Sequence, residues 1–60
     1  MRSFAIEVSG HQYRGAWKTE NDGQIEVRSD YGTERLKLGA RDPSQVARQV
    51  LEHMIPRPPV

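Results

Sequence analysis

The chain has 60 residues, a formal net charge of +1 and no cysteine, which limits it to one small domain and excludes both a disulfide framework and a cysteine-based zinc site. Folding at this size hides only about 60% of the surface that an unfolded chain exposes, so the core is small and leaves little room for an enclosed substrate pocket. A charge this near zero implies no polyanionic partner by itself; such a partner has to be argued from where the lysines and arginines lie.

Ser3 to Val8 alternates, with Phe4, Ile6 and Val8 on one side and Ala5 and Glu7 on the other, the period of a half-buried strand. Ser9-Gly10 suits a two-residue hairpin connection, and His11 to Lys18 alternates again with Tyr13 and Trp17 on the apolar side. A two-residue turn sets Val8 opposite His11, Ile6 opposite Tyr13 and Phe4 opposite Gly15, so the large apolar groups share a face. Asn21-Asp22-Gly23 is the next turn. A two-residue Asp-Gly turn would send Ile25 and Val27 to the wrong face. The pattern therefore predicts a three-residue loop with Gly23 left-handed in a G1 bulge, and Trp17 opposite Val27.

Gln24 to Leu38 reads as two alternating runs about Tyr31-Gly32, with Ile25, Val27, Leu36 and Leu38 on one face and Glu26, Arg28, Arg35 and Lys37 on the other. Their connection must hold an even number of residues. A four-residue loop, Asp30 to Thr33, is expected, pairing Val27 with Leu36 and Ile25 with Leu38. After Gly39-Ala40-Arg41 a helix begins: Asp42 is a good N-cap, Pro43 suits the first helical position and Gln45 can complete a capping box. Val46, Ala47, Val50, Leu51 and Met54 form one stripe at helical spacing, and Pro56 stops the helix near Met54 or Ile55. The predicted fold is α+β, a four-stranded antiparallel β-meander packed on one C-terminal α-helix. Residues 1–55 form the single domain. Residues 56–60 form a proline-rich mobile tail, in which Pro56-Arg57-Pro58-Pro59 has the spacing of a polyproline recognition motif.

In this layout Arg14, Lys18, Glu26, Arg28, Arg35 and Lys37 all fall on the sheet face away from the helix. One cross-strand row holds Lys18, Glu26 and Lys37. The next holds Ala16, Arg28 and Arg35, with Arg14 a diagonal neighbour of Arg28. Two arginines directly opposite cost a few tenths to about 1 kcal/mol, which an anionic partner would relieve. No small-molecule substrate, cofactor or metal is expected, because His11 and His53 stand far apart with no nucleophile or carboxylate at a telling spacing. No apolar run approaches a membrane span, and a cytoplasmic, non-enzymatic protein is the expectation.

Tyr13-Arg14-Gly15, Trp17, Ile25-Glu26-Val27-Arg28, Gly32, Arg35 and Leu38-Gly39, followed by a capped helix with Ala47, resemble the ethylene-response-factor (APETALA2-type) DNA-binding domain, whose architecture phage integrase arms share. The resemblance covers about Tyr13 to Val50 and implies a three-stranded sheet that reads the major groove, with Arg14, Glu26, Arg28, Arg35 and Lys37 toward the groove. Lys37 stands where that family usually has a tryptophan, and an extra strand precedes the motif. The chain also resembles small uncharacterised bacterial proteins with a Tyr-Arg-Gly start and a Ser-x-Tyr-Gly turn, here Ser29-Asp30-Tyr31-Gly32. Two functional expectations follow. One is a nucleic-acid-binding domain acting through the basic outer face. The other is a protein-interaction module, docking on a partner protein or forming a homodimer through an edge strand or the helix.

Overall fold

A computed structural model describes residues 1–56 of the chain. Four strands, β1 (Arg2–Val8), β2 (His11–Thr19), β3 (Gln24–Ser29) and β4 (Gly32–Lys37), precede one helix, α1 (Pro43–Met54). The strands pair antiparallel in the order β1-β2-β3-β4, and α1 packs across one face. This is the α+β meander that the alternation predicts. The polyproline-like spacing of Pro56-Arg57-Pro58-Pro59 and the mobility expected of the tail lie outside the described residues beyond Pro56.

The first two turns follow from their glycines. Ser9 and Gly10 both take left-handed backbone, with φ of 53° and 81°, as a two-residue type I′ connection requires. The register then runs Phe4 to Gly15, Ile6 to Tyr13 and Val8 to His11. At the second turn the Gly23 N–H donates to the Glu20 carbonyl (3.1 Å), and the Glu20 N–H to the Gln24 carbonyl (2.8 Å). Gly23 has φ 83°. The loop is the predicted three residues, and Trp17 faces Val27.

The third turn differs from expectation. Ser29 pairs with Gly32, so the connection is Asp30-Tyr31 alone and not the four residues Asp30 to Thr33. The Tyr31 N–H donates to Ser29 Oγ (3.1 Å), and Gly32 takes a φ of 135° as the chain enters β4. Shortening the loop by two moves β4 along β3 without turning it over. Ile25 therefore meets Leu36 and Val27 meets Glu34, instead of Leu38 and Leu36. On the other face Glu26 meets Arg35 and Arg28 meets Thr33. The expected row of Lys18, Glu26 and Lys37 is thus Lys18, Glu26 and Arg35, and the direct Arg28–Arg35 opposition does not occur. An even slip keeps every side chain on its face, and it replaces a like-charge pair with an opposite-charge one.

Asp42 caps α1 with extended backbone, and its carboxylate accepts from the N–H and the hydroxyl of Ser44, each at 3.2 Å. Ser44 rather than Gln45 makes the side-chain contacts of the cap. At the other end the Ile55 N–H donates to the Leu51 carbonyl, and Ile55 itself is extended, the backbone preferred before a proline. Ile25 and Val27 of β3 form the core with Val46, Ala47 and Val50 of α1, flanked by Phe4, Trp17, Leu36, Leu38 and Met54. Leu51 is also fully buried. With the helix over that face, the even-numbered residues of β2 and β3 and the odd-numbered ones of β1 and β4 are left on the other.

Candidate nucleic-acid interface

The outer face is built around a carboxylate. Glu26 sits midway along β3, pairing with Lys18 on one side and Arg35 on the other. Its side chain is 0% exposed although it points away from the helix. The cover comes from its neighbours: long cationic side chains lay their methylene stems over apolar or shielded ground and keep their heads in water. Arg35 donates from Nε to Glu26 Oε1 (2.8 Å), and its Nη2 lies 2.6 Å from the same oxygen. Arg28 donates from Nε to Oε2 (2.8 Å), and Lys18 Nζ lies 4.0 Å from that oxygen.

The heads themselves stay accessible. Arg28 and Arg35 are 55% and 58% exposed, so each guanidinium is anchored at one edge and open at the other. The hydrogen bond from Arg35 holds the Glu26 carboxyl below its ordinary value of 4.5, with the charges of Arg28 and Lys18 adding to it and the cost of burial opposing it. Reciprocally, the bond to Glu26 and then the charge of Glu20 raise Arg35 above its ordinary value. Glu26 is therefore ionised wherever the protein is folded near neutrality.

Of the residues singled out from the sequence, the structure brings Lys18, Glu26, Arg28 and Arg35 into one cluster. Arg14 stands on the same face beyond Ala16, across a shallow depression of about 350 Å³ that it lines with Arg28. Lys37 shares the face opposite Gln24, and its backbone carbonyl accepts from Arg41 Nη2 (2.6 Å). It makes none of the Glu26 contacts. Glu26, expected among the surface contacts, lies beneath them and accepts a hydrogen bond from each of the two arginines.

One participant escaped the sequence reading. Glu20 looks like a turn residue, yet it pairs with Gln24 and so continues the even-numbered side of β2 onto this face. Its Oε1 lies 3.4 Å from Arg35 Nε, and that buried atom has no hydrogen-bond partner. The signal was its parity with Lys18 and Ala16. Glu20 also reduces the positive charge of the face.

Among the described residues no three His, Asp or Glu side chains gather as a metal-binding group would. No described helix is long and apolar enough to cross a membrane. No family model, curated protein or solved structure matches the chain.

Proposed function

We propose that the outer face of the sheet binds nucleic acid, duplex DNA in the first place, through Arg14, Lys18, Arg28, Arg35 and Lys37, and that it does so without catalysing a reaction. The observation that carries this reading is the seating of Arg28 and Arg35 on one buried carboxylate. A surface arginine ordinarily gives up much side-chain freedom when it grips a phosphate. Here both guanidinium groups are already tied by Nε, and both side chains stay more than half exposed. A planar fork held in that way is suited to bidentate contact with a phosphate or with a guanine edge.

The width of the sheet limits how much sequence it reads. Three gaps of about 4.8 Å make a four-stranded sheet about 14 Å across, wider than a major groove of about 12 Å that admits a two-stranded ribbon. The β3–β4 hairpin, carrying Arg28, Arg35 and Lys37, is the part that fits. Arg14 and Lys18 on β2 are left for phosphates at the groove margin. Affinity is then chiefly electrostatic, and base reading is confined to the hairpin. Such a partner is compatible with the cytoplasmic location expected of the chain.

Salt titration of duplex binding tests this. If about four phosphates are neutralised, the slope of log affinity against log salt is about −3.6, or roughly 150-fold weaker binding between 50 and 200 mM salt. Arg28→Ala and Arg35→Ala should each make the slope shallower by about 1. Absence of binding at low salt, or an unchanged slope in both variants, refutes the proposal.

A further inference from the structure

The two edges of the sheet are unlike. On β4, Glu34 points to the helix side and stays exposed, and Arg35 and Lys37 follow it on the other face. Inward-facing and edge charges of this kind discourage pairing with another strand. On β1 charge is confined to the two ends, Arg2 and Glu7. Between Arg2 and Glu7 run Ser3-Phe4-Ala5-Ile6, with no proline, no lysine and an unbroken register against β2.

Backbone parity shows which groups that edge offers. The Glu20 N–H bonds across to Gln24, so the even-numbered residues of β2 bond toward β3 and the odd-numbered ones toward β1. Their partners on β1 are Arg2, Phe4, Ile6 and Val8. The N–H and C=O groups of Ser3, Ala5 and Glu7 consequently point away from the sheet. Beside them an open groove of about 580 Å³ separates β1 from α1, floored by Ile6 and Val8 and walled on the helix side by Arg48 and Glu52. Ile6 and Val8 are only half-buried, and Arg48 and Glu52 are exposed.

We infer that β1 is the interface of a symmetric dimer, its occupant the β1 strand of a second copy running antiparallel, with the two-fold axis passing at Ala5. That centre uses all seven residues of the strand and aligns the outward groups, Ala5 with Ala5 and Ser3 with Glu7. On the helix side it sets Phe4 against Ile6 and Arg2 against Val8. The same axis runs the two copies of α1 antiparallel, with Arg48 and Glu52 on the groove side of each helix and so in reversed order across the seam. The charge pattern of the groove is its own complement, as an interface built from one patch used twice requires. An unrelated peptide would not explain that symmetry. The surface so covered adds to a core that is small for an isolated domain.

Sedimentation of the full chain from micromolar to millimolar concentration should show the mass doubling. Ala5→Pro should remain folded, since proline is tolerated at an edge position whose N–H faces outward, and should stay monomeric. Arg48→Glu should weaken the dimer, and adding Glu52→Arg should restore it. Amide exchange supplies a readout independent of any variant. Ser3, Ala5 and Glu7 should gain protection as protein concentration rises, whereas Phe4 and Ile6, already bonded to β2, should be protected at the lowest concentration. A monomer through the millimolar range overturns the inference, as does a folded Ala5→Pro that still dimerises or protection that fails to follow this alternation. None of these readouts depends on nucleic acid.

Discussion

Gly15→Ala probes the packing that joins the core to the basic face. Gly15 lies between Phe4 and Ser29 in its cross-strand row, and its backbone is not left-handed. A methyl group there would therefore carry no conformational penalty and, by stiffening the unfolded chain, would gain about 0.5–1 kcal/mol. The space decides otherwise. The added Cβ would stand 3.0 Å from the Arg28 carbonyl oxygen and 3.1 and 3.2 Å from two carbons of the Phe4 ring. The ring can turn aside, but the carbonyl belongs to a strand bonded into the middle of the sheet. Overpacking of this sort costs about 1–3 kcal/mol, so the net effect is a loss of about 1–2 kcal/mol. For a domain of this size that lowers the thermal midpoint by about 4–16 °C, measurable by circular dichroism. Phe4→Leu in the same background should recover part of the loss, because it removes the ring and leaves the carbonyl, and the two changes should fail to add by about 0.5 kcal/mol or more. A Gly15→Ala protein that melts at or above the wild-type temperature would refute the reasoning.

Other outcomes follow from the same contacts. Leu51→Ala, at a fully buried position, should cost about 2–5 kcal/mol, much of what so small a domain has, and show as a large drop in urea midpoint. The Glu26 carboxyl is held below its ordinary value of 4.5, so the folded state binds fewer protons there than the unfolded state. Its contribution is complete above pH 4.5 and is lost as pH falls through the lowered folded value. Urea midpoints of wild type should accordingly fall more steeply below pH 4.5 than those of Glu26→Gln, and parallel curves would contradict this. Glu20→Gln removes the charge 3.4 Å from Arg35 Nε and, on the proposed function, should tighten duplex binding and steepen its salt dependence. Unchanged binding would mean that Arg35 does not meet the duplex.

Parity was legible in the sequence because alternation has a period of two and a core on one side penalises any odd slip. Phe4, Ile6, Trp17, Ile25 and Val27 share a side on that ground alone. The glycines at positions 10 and 23 then settled two of the three registers. The third stayed hidden because a two-residue shift of β4 leaves Leu36, Arg35 and Lys37 on the faces they already had. Hydrophobic pattern is blind to such a shift. Charge was the missing signal: setting Glu26 opposite Arg35 satisfies a rule of cross-strand pairing that setting Arg28 opposite Arg35 breaks. The depth of Glu26 was less legible still. In the sequence it is one charged residue among several, and its burial depends on where three long side chains happen to lie.

That burial bears on what the cluster is for. A carboxylate taken out of water is stabilised by its partners at the cost of desolvating them, and an apolar replacement of like size commonly serves stability as well or better. Glu26 is therefore a poor device if the only task is to hold β3 and β4 together, since their backbone ladder and the Ile25–Leu36 pair already do so. What an apolar residue cannot do is accept from two arginines at once. The property specific to Glu26 is that it holds Arg28 and Arg35 side by side with their outer edges in water, and preorganised donors of that kind are useful chiefly to an anion that meets both. Glu26→Met separates the two roles. If the cluster is for binding, the variant should keep its urea midpoint at neutral pH while duplex affinity falls and the salt slope shifts, since the arginines are then charged but no longer aimed. Lost stability with unaltered binding would assign Glu26 to the fold alone.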